Sequence, residues 1–138
     1  MMTDLHPCPC YSGKHYSDCC APYHLGQLPE NALLLMRSRY SAYALDLPEY
    51  IMATTHPLNK GFQKNKEKWR TSIAFFSQNT VFKKLEILHF EEKGKTAYVT
   101  FIAYLEQNHH DATFQEKSVF EKVGECWLYL EGVTKEKS

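Results

Sequence analysis

The chain has 138 residues, about the length of one domain and enough to bury an ordinary core without staples. Its 16 basic and 16 acidic side chains cancel, so bulk charge does not draw it onto a phosphate backbone, and no apolar run approaches the ~20 residues of a membrane-spanning helix. The first residues lack a charged region and meet Pro7 and Cys8 early, unlike a secretory leader; the expected compartment is the cytoplasm, where clustered cysteines point to metal or redox chemistry rather than to structural disulfides.

Residues 8–20 read CPCYSGKHYSDCC and hold four of the five cysteines, spaced C-x-C-x8-C-C. Soft thiolates with tetrahedral demand suit Zn(II), with iron as the usual contaminant. Cys8 and Cys10 reach one ion across a tight turn stiffened by Pro7 and Pro9, Ser12-Gly13 reads as the bend that returns the chain, and residues 14–18 form a short helical turn that delivers Cys19 and Cys20. Adjacent cysteines diverge, so the fourth ligand is either Cys20 or His24. Crowding and compartment argue against two disulfides or four unrelated thiols. A four-thiolate site is closed to substrate, so its metal stabilises the arm and does no chemistry. Lys14 and His15 are the nearest cations to offset the thiolates. Ser12-Gly13-Lys14 lacks the upstream glycine, the following hydroxyl residue and the preceding strand of a phosphate loop.

Residues 21–28 form a connector punctuated by Pro22, Gly26 and then Pro29. Residues 29–45 read as a helix with Pro29 in its first turn and Leu33, Met36, Tyr40, Tyr43 and Leu47 on one stripe. Arg37 and Arg39 flank that stripe, either solvated and salt-bridged or facing a pocket mouth. Asp46-Leu47-Pro48-Glu49 reads as a capping box that opens a short helix, packing Tyr50, Ile51 and Ala53 inward and stopping at His56-Pro57. His56 either caps the last carbonyls or serves as a general base. Residues 62–78 give a third helix, with Phe62, Trp69, Ile73 and Phe76 on one side. Its Lys64, Lys66, Lys68 and Arg70 form a solvated face or, alternatively, an RNA or ribosome contact.

From Thr80 the period becomes two. Strands are expected over 81–91, 96–106, 112–122 and 125–130, with turns at 92–95, 108–111 and Gly124, and a frayed tail over 135–138. The second strand has apolar residues at both parities, which predicts a central strand covered on two sides. His109-His110-Asp111 falls in a polar, exposed turn, and Cys126 beside Trp127 reads as a buried, inert thiol.

CPCYSGKHYSDCC resembles the SEC-C motif, CPCxSGKxYxxC followed by Cys or His, at Cys8, Cys10, Ser12, Gly13, Lys14, Tyr16, Cys19 and Cys20. It departs at Tyr11, where glycine is common. That motif closes the preprotein translocase ATPase SecA, where it binds zinc and contacts the chaperone SecB. With LLLMRSRYSAYAL and FEKVGECWLYLEG the chain resembles the YchJ-type SEC-C proteins along nearly its whole length. The resemblance implies a zinc-binding arm on an NTF2-like domain of undefined biochemical function, and it raises the functional weight of the arginines in MRSRYSAY.

Helices followed by an antiparallel meander predict an α+β fold. The expected shape is about three helices on a curved four-stranded sheet, the NTF2-like cone the resemblance implies, with a zinc knuckle and connector over 1–28 and the α+β domain over 29–138. Arg37, Arg39, Tyr40, Tyr43, His56, Trp69, Phe101 and Trp127 are candidate pocket residues, each with core packing or a structural contact as the plainer reading. Three functions compete. The knuckle presents Tyr11, Lys14, His15 and Tyr16 to a protein partner, by resemblance an export chaperone or the ribosome. Alternatively the cone holds a small molecule, with His56, His89 and Glu91 as the only carriers of general acid–base chemistry and no evident partner for any of them. The third is RNA binding through the knuckle and the basic helix. The non-catalytic interaction module is the favoured reading.

Overall fold

The computed structural model describes residues 6–136. A 3-10 turn (Tyr16–Asp18) precedes helices α1 (Ala21–His24), α2 (Ala32–Ala44), α3 (Pro48–Ala53) and α4 (Lys66–Gln78), then strands β1 (Val81–Lys93), β2 (Thr96–Gln107), β3 (His110–Asp111), β4 (Phe114–Val123) and β5 (Cys126–Glu136). The fold is α+β. The tail expected over 135–138 begins within β5, and its last residues, like the first five of the chain, lie outside the described region.

Asparagines, rather than the residues expected, set where the long helices start. Asn31 Oδ1 accepts from Leu34 N at 2.9 Å and opens α2, leaving Pro29 outside the helix, and Asn65 Oδ1 accepts from Lys68 N at 3.0 Å to open α4, leaving Phe62 in the preceding loop. The expected capping box does not form. Asp46 takes a left-handed backbone (φ 59°) and accepts from Gln78 Nε2, while Leu47 caps α3 without a side-chain bond and Pro48 enters the first turn.

The apolar stripe expected on α2 is too narrow. Met36 and Tyr40 are buried, but so are Ala32, Leu35, Ser38, Arg39, Ser41 and Ala42, because the helix packs against α1, α3, α4 and the sheet together. The polar groups this traps are bonded. Ser38 Oγ donates to Leu35 O (2.8 Å), and Ser41 Oγ donates to Ser38 O (3.1 Å).

The sheet is antiparallel in the order β1-β2-β4-β5, with β3 pairing the end of β2. Two-residue loops at 94–95 and 124–125 join the hairpins, each led by a glycine at φ 62°, and a third at 108–109 uses Asn108 (φ 52°) and His109 (φ 64°). Register shifts in β1 and between β4 and β5 mark bulges, which bend the sheet over the helices. On β2, Ala97, Val99, Phe101, Ala103 and Leu105 are buried, whereas Tyr98, Thr100, Ile102 and Tyr104 are half-buried. Cover on both faces was expected, but helices cover only one. On the other, Lys117 Nζ lies 5.0 Å from the Tyr98 ring centre and Lys84 Nζ 5.6 Å from that of Tyr104, so lysine stems shield the aromatics while their charges stay in water.

Candidate functional site

The N-terminal knuckle is closed by backbone first. Pro7 and His15 form an antiparallel bridge, Cys8 N donates to Lys14 O (2.9 Å), Tyr16 N to His6 O (2.9 Å) and Tyr11 N to Cys8 O (3.1 Å). Tyr11 and Gly13 carry the return with positive φ, 62° and 90°. A left-handed backbone costs a residue with Cβ about 1–2 kcal/mol, which explains why glycine suits position 11. The tyrosine gains something in exchange: its hydroxyl donates to Phe82 O (3.1 Å) and its ring meets Tyr40 edge-on, 6.4 Å between centres.

This fold draws Cys8, Cys10, Cys19 and Cys20 together, with all four sulfurs within 4.8 Å of one another. None of the cysteines is in a disulfide. A tetrahedral ion with metal–sulfur bonds of about 2.3 Å spaces its sulfurs about 3.8 Å apart, so the set fits one ion after small movements. The four thiols cannot all ionise at such short range without added positive charge. Hydrogen bonds from Cys20 and then Cys8 hold the Cys10 thiol far below its usual range, while donating to Cys10 pushes Cys8 up to about 12 and Cys20 well up. Without added positive charge one thiolate suppresses the others; a divalent ion would let all four ionise.

His24 does not join them. Its Nε2 faces Ser38 O at 2.8 Å, and a carbonyl only accepts, so Nε2 carries the proton. Nδ1 therefore accepts from the Tyr16 hydroxyl at 2.6 Å. Both ring nitrogens are thus engaged away from the sulfurs, and burial lowers the pKa of the ring, keeping it neutral. The same bond turns Tyr16 inward and half-buries it, whereas Lys14, His15 and the Tyr11 ring edge remain exposed. A positive charge does lie against the sulfurs: Arg37 Nη1 donates to Cys10 O (3.0 Å) and lies 3.9 Å from Cys10 Sγ, while the neutral Ser12 Oγ lies 3.1 Å from Cys19 Sγ.

A second feature lies between α2, α4 and the sheet: a half-open cavity of about 320 Å³. Its walls are aromatic and aliphatic, including Tyr40, Tyr43, Phe76, Phe101 and Phe114, and its polar end holds Arg39, Glu116, Ser118 and Tyr129. Arg39 is buried, not solvated. Its Nη1 donates to Ile51 O and to the Thr54 and Thr55 hydroxyls at 2.7–3.2 Å, and its guanidinium sits 4.7 Å from the Tyr129 ring centre. Burial, then the neighbouring Glu116, pushes the Tyr129 phenol up, so it stays a donor.

Of the eight candidate pocket residues, Arg39, Tyr40, Tyr43 and Phe101 line this cavity. Arg37 serves the knuckle. Trp69 packs with Ala42, Ile51, Met52 and Ile73, and Trp127 sits in the main core. His56 is a clasp: its backbone N donates to Tyr129 O (2.8 Å), Nδ1 accepts from Leu58 N (3.0 Å), and Nε2 meets Glu121 Oε1 (2.7 Å). It thus has the partner the sequence did not disclose, but it does not line the cavity. Nor do His89 and Glu91, which pair with each other on β1, Glu91 pairing also with Lys93. Cys126 is half-buried rather than buried. In the basic stretch, Lys66 lies over Phe62 and Trp69, and Arg70 pairs with Glu49. Glu116, Ser118 and Tyr129 escaped the sequence reading. A signal existed: residues 114, 116, 118 and 120 share the inward parity of β4, and Glu116 is the one charged residue among these four.

Residues 31–132 match the family described as YchJ, middle NTF2-like domain. A UPF0225 protein of Sodalis glossinidius is 37% identical over 131 residues, spanning 91% of this chain and 82% of that protein. The solution structure of a SEC-C motif containing protein from Rhodopseudomonas palustris superposes with a TM-score of 0.79 at 32% identity, covering 94% of this chain and 98% of that one. The crystal structure of a sec-c motif containing protein from Psychrobacter arcticus gives 0.81 at 27% identity, covering 100% and 88%.

Proposed function

The chain belongs to the YchJ family, the UPF0225 proteins with an NTF2-like domain, and from that premise we propose that it is a zinc-binding interaction module whose knuckle presents a surface to a protein partner. The ion is structural Zn(II), held by Cys8, Cys10, Cys19 and Cys20, with Arg37 and Ser12 steadying the thiolates. Four sulfurs fill a tetrahedral shell and leave no position for a substrate. The observation that carries the reading is the exposure of Lys14 and His15 at the tip of this closed site, beside Tyr11 at 47% exposure. The connector adds apolar surface, with Leu25 88% and Leu28 50% exposed. An apolar and basic surface of this kind suits a chaperone, an export component or a ribosomal protein.

The test is affinity capture from native lysate of the source bacterium, with bound proteins identified by mass spectrometry. Lys14→Ala combined with His15→Ala removes exposed side chains and no ligand. The double variant is expected to keep one zinc per chain and lose the captured partner. Unchanged capture at full zinc content contradicts the proposal. Among the described residues no helix is long and apolar enough to cross a membrane.

A further inference from the structure

The polar end of the cavity is a constructed feature. Among the described residues Glu116 is the one acidic side chain lining it, and its carboxylate is held in place: Oε2 accepts from Ser118 Oγ (2.5 Å) and Tyr129 Oη (3.0 Å), whereas Oε1 receives, among the described residues, only the longer contact of the Thr134 hydroxyl (3.4 Å). Two irregularities of β5 make this possible. The register skips Leu130, so Tyr129 pairs with Phe120 and Gly132 with Ser118. Residues three apart then share the inner face, which regular alternation forbids. Gly132 supplies the space. A Cβ there would overlap the Glu116 carboxyl carbon and Oε2 and would crowd Tyr129 Oη at 2.6 Å. The glycine answers a close approach, not an unusual φ.

The charge balance limits what fits. A carboxylate facing the cavity repels an anion. A full cation is disfavoured because the Arg39 guanidinium already stands behind the Tyr129 ring whose hydroxyl holds Glu116. Flat aromatic walls favour a planar apolar body, and about 320 Å³ is at the small end of ligand sites. We propose that the cavity is a binding site for a small, uncharged, largely aromatic molecule that donates one hydrogen bond, from a hydroxyl or an amine, to Glu116 Oε1.

The test uses the full metal-loaded chain and two probes of the same body, 2-naphthol, which donates, and 2-methoxynaphthalene, which does not. Hydrogen bonds to a charged acceptor predict that the wild type prefers the naphthol at least tenfold. Glu116→Gln keeps the size of the side chain and removes its charge; it should cut that preference to about twofold, with affinity for the methoxy probe unchanged. Equal binding of both probes, no binding of either, or a preference that survives in Glu116→Gln overturns the proposal. Chemical-shift mapping on the wild type needs no variant. It should place the naphthol against Leu105, Phe114 and Glu116, and shifts confined to another surface overturn the proposal as well.

Discussion

The knuckle and the cavity both lean on α2 and are built in contrary ways. The knuckle is assembled from residues close in the chain and sealed by four sulfurs; its inner polar groups, Tyr16, His24 and Ser12, are spent on holding it shut. The cavity is assembled from α2, α4 and the sheet, and Glu116 in its lining keeps one carboxylate oxygen with no bond shorter than 3.4 Å among the described residues. Arg37 and Arg39 divide the helix between them. Two residues apart at 3.6 residues per turn, they point about 200° from each other, one to Cys10 and the other to Tyr129. A site made of neighbours depends on its ion, while a site made of distant residues depends on the fold as a whole.

That contrast breaks most visibly on metal removal. Structural zinc contributes about 10–16 kcal/mol to small metal-dependent folds, so a strong chelator, or Cys10→Ala with Cys19→Ala, should abolish amide-exchange protection at Tyr11, Tyr16 and Cys19. Protection along β2 should persist; its loss would mean that the two regions are one unit. Leu35→Ala cuts the fully buried centre of α2 and should cost about 2–5 kcal/mol in denaturant unfolding, with knuckle and cavity probes melting together. Separate transitions would show that α2 does not join them. Arg37→Met should weaken metal affinity about 10–100-fold in competition with a chelator and leave probe binding in the cavity unchanged. The smallest effect is expected for Tyr11→Gly. Relief of about 1–2 kcal/mol of left-handed strain should nearly offset the lost ring contact and hydrogen bond, and thermal unfolding should shift by no more than about 1 kcal/mol.

The two regions also differ in how far they can be read from residues alone. Cys8, Cys10, Cys19 and Cys20 converge because they are close in the chain, so spacing discloses them. The fate of His24 was not legible, since its partners Ser38 and Ser41 come from a helix that had yet to be docked. The strand periodicity of β2 is plain in its alternation, but which face the helices cover is a tertiary matter, and lysine stems over Tyr98 and Tyr104 imitate a second buried face. The long helices were started too early, at Pro29 and at Phe62, where Asn31 and Asn65 make the capping bonds, which are local and equally allowed by sequence. Arg39 stayed open between a solvated charge and a pocket residue, because nothing nearby in sequence announces that Thr54, Thr55 and Tyr129 will enclose it at the cavity. Glu116 carries meaning only once the bulge at Leu130 and the space over Gly132 are known.

X-ray absorption at the zinc edge of the purified, reduced full chain tests the central claim most directly. The account predicts one zinc per chain with four sulfur neighbours at about 2.3 Å and no nitrogen in the shell. A nitrogen at about 2.0–2.1 Å, or a chain that carries no stoichiometric metal, would contradict it.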